Sequence, residues 1–154
     1  MPTILLPETP IGALTVQEDA GAICAIRFGI CDTADSVSSP LLQTAKEELS
    51  AYFVGKLRTF TVPLSLRGTP FSMRVWEALR EIPYGQTVSY GELAAQIGNP
   101  KAARAVGMAN HRNPIPIILP CHRVIGADGK PVGYAGGLAI KTRLLALERE
   151  NFTR

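Results

Sequence analysis

The alternation of apolar and polar positions changes character about 65 residues into the chain. Before that point the apolar runs are short. "TILLP" and "GALTVQE" flank the turn-like "ETPIG", and "AICAIRFG" is apolar enough for a covered strand, so three short strands are predicted. "CDTADSVSSP" has the composition of a loop. Leu42, Ala45, Leu49, Tyr52 and Phe53 then recur at spacings of three and four, which predicts an amphipathic helix over residues 41–54. "TFTVPLSL" alternates like a strand until Pro63 interrupts it, as an edge strand or a linker would.

Beyond this the period is helical. Thr69 is placed to cap a helix with Pro70 at its first position, and Phe71, Val75, Leu79 and Ile82 line one face. "IPYGQT" is a turn. Ser89 and Glu92 form a capping-box pattern that opens a short helix through Ile97, with Gly98 suited to end it. Asn99 and Pro100 are then read as the cap and first position of another helix, "KAARAVGMAN". A helix-turn-helix and a generic αα-hairpin explain this pair equally. Two prolines in "HRNPIPI" stop the second helix. The chain closes with the turn "GADGKPVG", the Gly-rich "YAGGLAI" and a helix, "KTRLLALERE".

Composition narrows the class. At 154 residues, with 46% hydrophobic and 19% charged, the chain suits one sizeable globular domain or two small ones. No apolar run approaches the roughly 20 residues that span a bilayer. "MPTILLPETP" has no basic n-region, so no secretory signal is expected. Three cysteines, Cys24, Cys31 and Cys121, are an odd set without CxxC, which argues against a disulfide framework and for a reducing interior. The two histidines, His111 and His122, have no Cys or His at zinc-ligand spacing, so no metal is expected. Net charge is +3, unevenly spread: residues 1–65 hold 4 Lys/Arg against 7 Asp/Glu, residues 66–154 hold 12 against 6. That makes a polyanion a natural partner for the second part.

The chemistry concentrates in "IILPCHRVIG". A free cysteine is usually a small core hydrophobe, which suits Cys24 and Cys31. Cys121 has His122 and Arg123 beside it. An ordinary thiol, of pKa about 8.5, is only a few per cent ionised at neutral pH, and a base or cation raises that fraction. Adjacent residues on a strand face apart. Either the backbone turns tightly after Pro120, or the imidazole reaches the thiol through a water.

"PCHRVIG", preceded by "NPIPIIL" and followed by "GYAGGLAIKTRLLALE", resembles the O6-alkylguanine-DNA alkyltransferases. The likeness runs upstream through "FSMRVWEALREIPYGQTVSYGELAAQIGNPKAARAVG", covering residues 66–150, and "TPIG" and "AYFVGKLRTFTVPLSLRGT" are similar to the family's first domain. It implies an RNase H-like α/β domain, a small antiparallel sheet plus helix, in residues 1–65, followed by a mainly α winged helix-turn-helix domain in residues 66–154. It further implies a single, irreversible transfer of an alkyl group from O6 of guanine to Cys121, with no cofactor. His122 would act as base through a water, Glu148 would hold its other ring nitrogen, and Asn113 would be the hinge between helix and nucleophile. Tyr90 would donate toward N3 of guanine. Met108, Pro114, Val124, Tyr134, Ala135 and Gly136 would line the base pocket. The partner would be duplex DNA docked through its minor groove, with single-stranded DNA left open. Ala102, Ala103 and Ala105 would keep the second helix narrow, and Arg104 would replace the everted base. Lys101, Arg112, Arg74 and Arg123 would be further DNA contacts.

The same resemblance implies a monomer, with cooperative loading on DNA left open, located with the genome in the cytoplasm or, in a eukaryote, the nucleus, and away from membranes. The zinc ligands of some relatives are missing, and His111 and Arg112 depart from the small residues common before the hinge. Two other classes compete. A lesion-binding module without transfer would lack Cys121, and a helix-turn-helix transcription regulator would leave PCHR, Asn113 and Glu148 unexplained.

Overall fold

Alternating apolar residues build the first sheet. The computed structural model describes residues 2–31, 39–134 and 136–152, which divide between Leu66 and Arg67 into two compact units. In the first, β1 (Thr3–Leu6), β2 (Leu14–Asp19) and β3 (Ala22–Phe28) form an antiparallel sheet in that order, with Ile4 opposite Val16 and Val16 opposite Ile26. Ile23 and Ile26 are both buried although an odd spacing should place them on opposite faces. An irregularity in register between Gln17 and Glu18 resolves this: Gln17 pairs with Ala25 and Glu18 with Ile23, leaving Cys24 unopposed as the extra residue of a bulge.

Helix α1 (Pro40–Phe53) starts one residue before the predicted span, because the Ser39 side chain accepts from the Leu42 amide at 3.1 Å and Pro40 takes the first helical position. Its stripe of Leu42, Ala45, Leu49, Tyr52 and Phe53 is buried, and the helix packs on the sheet. The alternating "TFTVPLSL" is not a strand. The Glu48 carboxylate takes the amides of Thr61 and Val62 (3.0 and 3.2 Å), and only Leu64 bridges β3, through Ile23 N–H to Pro63 O and Ser65 N–H to Ile23 O, both 2.8 Å.

The second unit is mainly helical. α2 (Pro70–Leu79) is capped by Thr69 as expected, and Ile82 extends its buried stripe past the helix end. β4 (Val88–Ser89) leads into α3 (Tyr90–Gln96), whose capping box between Ser89 and Glu92 is complete. Gly98, at φ +83°, donates to Ala95 O (3.0 Å) and Asn99 to Ala94 O (2.9 Å), a Schellman ending. This corrects the expectation for Asn99: its amide is committed to ending α3, so it does not open the next helix. α4 (Ala103–His111) starts after a turn closed by Ala102 N–H to Asn99 O, with Ala102 in the cap position and no side chain capping it. α3 packs on α4 as a helix-turn-helix, and Trp76 of α2 donates from Nε1 to Ala109 O at 2.9 Å, fixing α4 from behind.

Two features escape the sequence pattern. β5 (Val124–Ile125) pairs in parallel with β4, joining the start of α3 to the end of the PCHR segment. α5 (Leu138–Phe152) begins three residues before the predicted helix, its first turn closed by Lys141 N–H to Gly137 O. No described helix is long and apolar enough to cross a membrane.

Candidate active site

Pro120 decides how the reactive segment is presented. Its φ of −79° and ψ of 65° form an inverse γ-turn, closed by Cys121 N–H to Leu119 O at 2.7 Å. A single 3₁₀ turn, Cys121–Arg123, follows, with Arg123 N–H on Pro120 O at 3.0 Å. The backbone therefore turns tightly after Pro120, but among the described residues His122 Nδ1 makes no direct hydrogen bond to the thiol. Cys121, His122 and Arg123 are all buried, at 4%, 0% and 6% exposure.

Upstream, Asn113 clamps the approach. Its Nδ2 donates to Leu119 O (2.8 Å) and its Oδ1 accepts from Ile115 N–H (2.9 Å), and its amide near the thiol works to lower the Cys121 pKa. Between these anchors Ile117 sits at φ +75°, a conformation that a β-branched residue adopts only when its surroundings enforce it.

Behind the turn, α5 delivers Glu148 on the same face as Leu144 and Lys141. Its Oε2 lies 2.6 Å from His122 Nε2, and Arg123 donates from Nε to Oε1 (2.8 Å) and from Nη2 to Oε2 (3.0 Å). The Gly85 amide adds a bond to Oε1 at 3.2 Å. Arg123 also donates from Nη1 to Ile82 O (2.7 Å) and stacks over Tyr84. The sequence reading put Arg123 among the DNA contacts. The structure instead spends its guanidinium inside the fold, on the carboxylate that holds His122.

The electrostatics follow from this packing. Burial alone would raise the Glu148 pKa, but the bonds and charges of His122 and Arg123 outweigh it and hold the carboxyl below the usual range. An ionised Glu148 only accepts, so His122 carries its proton on Nε2. His122 Nδ1 is thereby an acceptor, and among the described residues it has no hydrogen-bond partner. Burial also lowers the His122 pKa below 6.5 despite the pull of Glu148, keeping the ring neutral at physiological pH. The Cys121 thiol moves the other way. Burial pushes it up to about 11, against the opposing influence of Asn113, Lys141 and Tyr134. At rest it is a protonated thiol beside a neutral base.

Tyr90, at the start of α3, donates to Val132 O at 2.9 Å, and burial raises its pKa against the opposing influence of Asn110. Tyr134 is buried beside Cys121, and burial first, then the nearby thiol, raises its hydroxyl pKa. Val124 is fully buried and contributes its carbonyl, which accepts from Lys141. Pro114 and Gly136 are half-buried, and Ala135 lies outside the described residues. Met108 is 53% exposed on α4, where it lines a surface cavity of about 350 Å³ with Arg104, Gly107, His111 and Arg112. Arg104, Lys101, Arg112 and Arg74 are exposed, while Ala102 and Ala103 are half-buried at the start of α4 and Ala105 is exposed.

Two residues near the reactive turn were not anticipated. Lys141 is fully buried and donates to Val124 O (2.5 Å), Val132 O (2.8 Å) and Gly133 O (3.1 Å); burial lowers its pKa to about 8, against the pull of Cys121. Its spacing of seven from Glu148 was the available signal. Asn110 donates to Cys121 O at 3.3 Å, and its place one helical turn after Val106 marks it as inward-facing. Among the described residues no group of three His, Cys, Asp or Glu is placed to hold a metal ion.

Two family models match the chain: the ribonuclease-like domain of 6-O-methylguanine DNA methyltransferase over residues 5–66, and the DNA-binding domain of the same family over residues 70–150. A methylated-DNA–protein-cysteine methyltransferase of Mycolicibacterium paratuberculosis is 63% identical over 149 residues, 94% of this chain and 90% of the relative. One from Methanosarcina acetivorans is 50% identical over 147 residues, 92% of this chain and 94% of its own length. The chain is also similar to a crystal structure of Mycobacterium tuberculosis OGT in complex with DNA, with a TM-score of 0.87 at 49% identity, covering 97% of this chain and 92% of that one.

Proposed function

Since this chain belongs to the 6-O-methylguanine DNA methyltransferase family, we propose that Cys121 is the atom to which it moves the alkyl group and that His122 and Glu148 drive the move. The protein repairs alkylated guanine in DNA by direct reversal, as a methylated-DNA–protein-cysteine methyltransferase. One observation carries the assignment of residues: a buried imidazole fixed through Nε2 on Glu148, with Nδ1 unpartnered among the described residues, next in sequence to a buried thiol.

A thiol of pKa about 11 does not ionise in advance, so its proton must leave as the reaction proceeds. His122 Nδ1 takes it through a water. The sulfur attacks the alkyl carbon, an S–C bond forms, and the C–O6 bond breaks with its electron pair left on the purine. Tyr90 stabilises that charge by donating toward N3, and the proton taken from sulfur returns to the purine through solvent. The products are a thioether and an ordinary guanine, so atoms and charge balance without a cofactor. Before this Tyr90 must turn away from Val132 O, and Lys141, which donates to the same carbonyl, keeps that oxygen satisfied when it does.

O6 faces the major groove within a stacked duplex, so the nucleotide must be everted to meet a buried sulfur. α4 enters the minor groove, Arg104 occupies the vacated stack, and Lys101, Arg112 and Arg74 contact phosphates without reading sequence. The protein acts as a monomer, in the compartment that holds the genome. The lesion-binding and transcription-regulator readings leave the groups around Cys121 without a task.

Incubation with O6-methylguanine DNA is expected to add about 14 Da to the Cys121 peptide in a mass spectrum. Mass on Cys24 or Cys31, or on no cysteine, would refute the assignment. Arg104→Ala is expected to slow repair in duplex by roughly tenfold or more while sparing single strands, since eversion costs a few kcal/mol only where the base is stacked and paired. Equal slowing on both would remove Arg104 from that role. For pH, a His122 pKa below 6.5 means the base stays competent through pH 6.5 and is lost only as acid protonates Nδ1. Single-turnover rates from pH 5 to 8 check this, and an acid limb centred above 6.5 would contradict it.

A further inference from the structure

The Glu148 carboxylate is sealed unevenly. Its bonds to His122 and Arg123 lie in the interior, whereas the bond from the Gly85 amide, the longest at 3.2 Å, is only partly buried. Solvent is close on that side: a cavity of about 360 Å³, whose lining includes Gly85, Ile125, Leu145, Glu148 and Arg149, reaches this junction. Water admitted there would compete with Gly85 and His122 for the same two oxygens.

One side chain covers the weak point. Phe152 stands one helical turn beyond Glu148 on α5, on the same face. A Cβ added to Gly85 would overlap the Phe152 ring at Cδ2 and Cγ, so the ring packs directly on the Gly85 backbone. Gly85 sits at φ +76°, so the backbone and the ring each demand glycine there. The segment under the ring serves the carboxylate twice. Gly85 donates to Oε1, and the Tyr84 ring lies 5.6 Å from the guanidinium of Arg123. At 42% exposure Phe152 is a rim residue rather than part of the core, placed where solvent would enter.

We propose that Phe152 is a positioning residue for the transfer, its ring sealing the Gly85–Glu148 bond so that the carboxylate keeps His122 in the tautomer with Nδ1 as acceptor. The proposal rests on the reading of His122 as base. Phe152 touches neither the sulfur nor the lesion in this scheme and acts only through Gly85 and Glu148.

Two readouts, taken well below each variant's melting temperature, test it. One is single-turnover transfer to Cys121 from a single-stranded oligonucleotide carrying O6-methylguanine. The other is the ¹⁵N spectrum of the His122 ring in the DNA-free protein, where His111→Gln leaves a single imidazole to observe. In Phe152→Ala, transfer is expected to slow roughly three- to tenfold, the worth of one hydrogen bond opened to water, with an Nδ1-protonated tautomer appearing alongside. Phe152→Leu, which keeps an apolar cover, is expected to restore both. Gly85→Ala, which displaces the ring from the other side, is expected to give the signature of Phe152→Ala. Normal transfer with a normal spectrum in Phe152→Ala would overturn the proposal. So would slower transfer with the tautomer unchanged, the mark of a merely structural role, or failure of Phe152→Leu to restore either readout. A changed tautomer with no loss of rate would instead overturn the reading of His122 as base, and this proposal with it.

Discussion

Cys121→Ser is expected to abolish alkyl transfer, by at least roughly a thousandfold, while leaving affinity for DNA within about twofold. The substitution exchanges one atom at a site that is 4% exposed, so the inverse γ-turn at Pro120 and the 3₁₀ turn after it have no reason to change. What changes is the acid that His122 must deprotonate and the nucleophile that results. The thiol already sits at about 11, and a buried hydroxyl ionises far less readily. DNA affinity belongs to other residues: Arg104, Lys101 and Arg112 are exposed at α4 and its flanks, and none of them bonds the Cys121 turn. Transfer is followed by mass on the 121-containing peptide and affinity by gel shift. A Cys121→Ser protein that no longer binds DNA would show that recognition and chemistry are not separable in this way.

Glu148→Gln is expected to damage both stability and rate. The carboxylate receives two bonds from Arg123, one from His122 and one from the Gly85 amide, all in the interior. Neutralising it leaves the guanidinium buried without a counter-charge, a change that typically costs about 3–5 kcal/mol. A melting temperature lower by roughly 10 °C or more follows. The rate suffers separately. An amide presents both a donor and an acceptor to His122, so Nε2 no longer has to carry the proton and Nδ1 no longer has to be the acceptor. A loss of roughly a hundred- to ten-thousand-fold is expected, the usual worth of a positioned base. Measuring transfer well below the variant's melting temperature separates the two effects. A folded Glu148→Gln protein that transfers at the normal rate would remove Glu148 from the mechanism and leave it a structural ion.

Local chemistry explains which parts of this were legible in the sequence. Thr69 with Pro70, Ser89 with Glu92, and Gly98 each act within four residues of themselves, and each does in the fold what its residue type predicts. Asn99-Pro100 misled because Asn serves helix ends as well as helix starts, and the Schellman bonds of α3 claim it first. The β4–β5 pair was out of reach: two residues have no periodicity, and Val88 meets Val124 only through the tertiary fold. Within the site, Cys121, His122, Asn113 and Glu148 carried a recognisable pattern. Arg123 did not disclose its role, because a cation next to a nucleophile looks the same whether it faces phosphate or a buried carboxylate. Lys141 was missed because a lysine at the apparent start of a helix reads as a solvated charge, although its spacing of seven puts it on the face of Glu148.

The interior placement of Arg123 and Lys141 bears on how the protein should respond to ionic strength. Residues 66–154 contain twelve Lys and Arg, and a count of sequence charge would let each displace a cation from the DNA backbone. These two are engaged with Glu148 and with backbone carbonyls, so they release no counterions on binding. The slope of log affinity against log salt should therefore be shallower than composition suggests, and replacing either residue should leave that slope untouched.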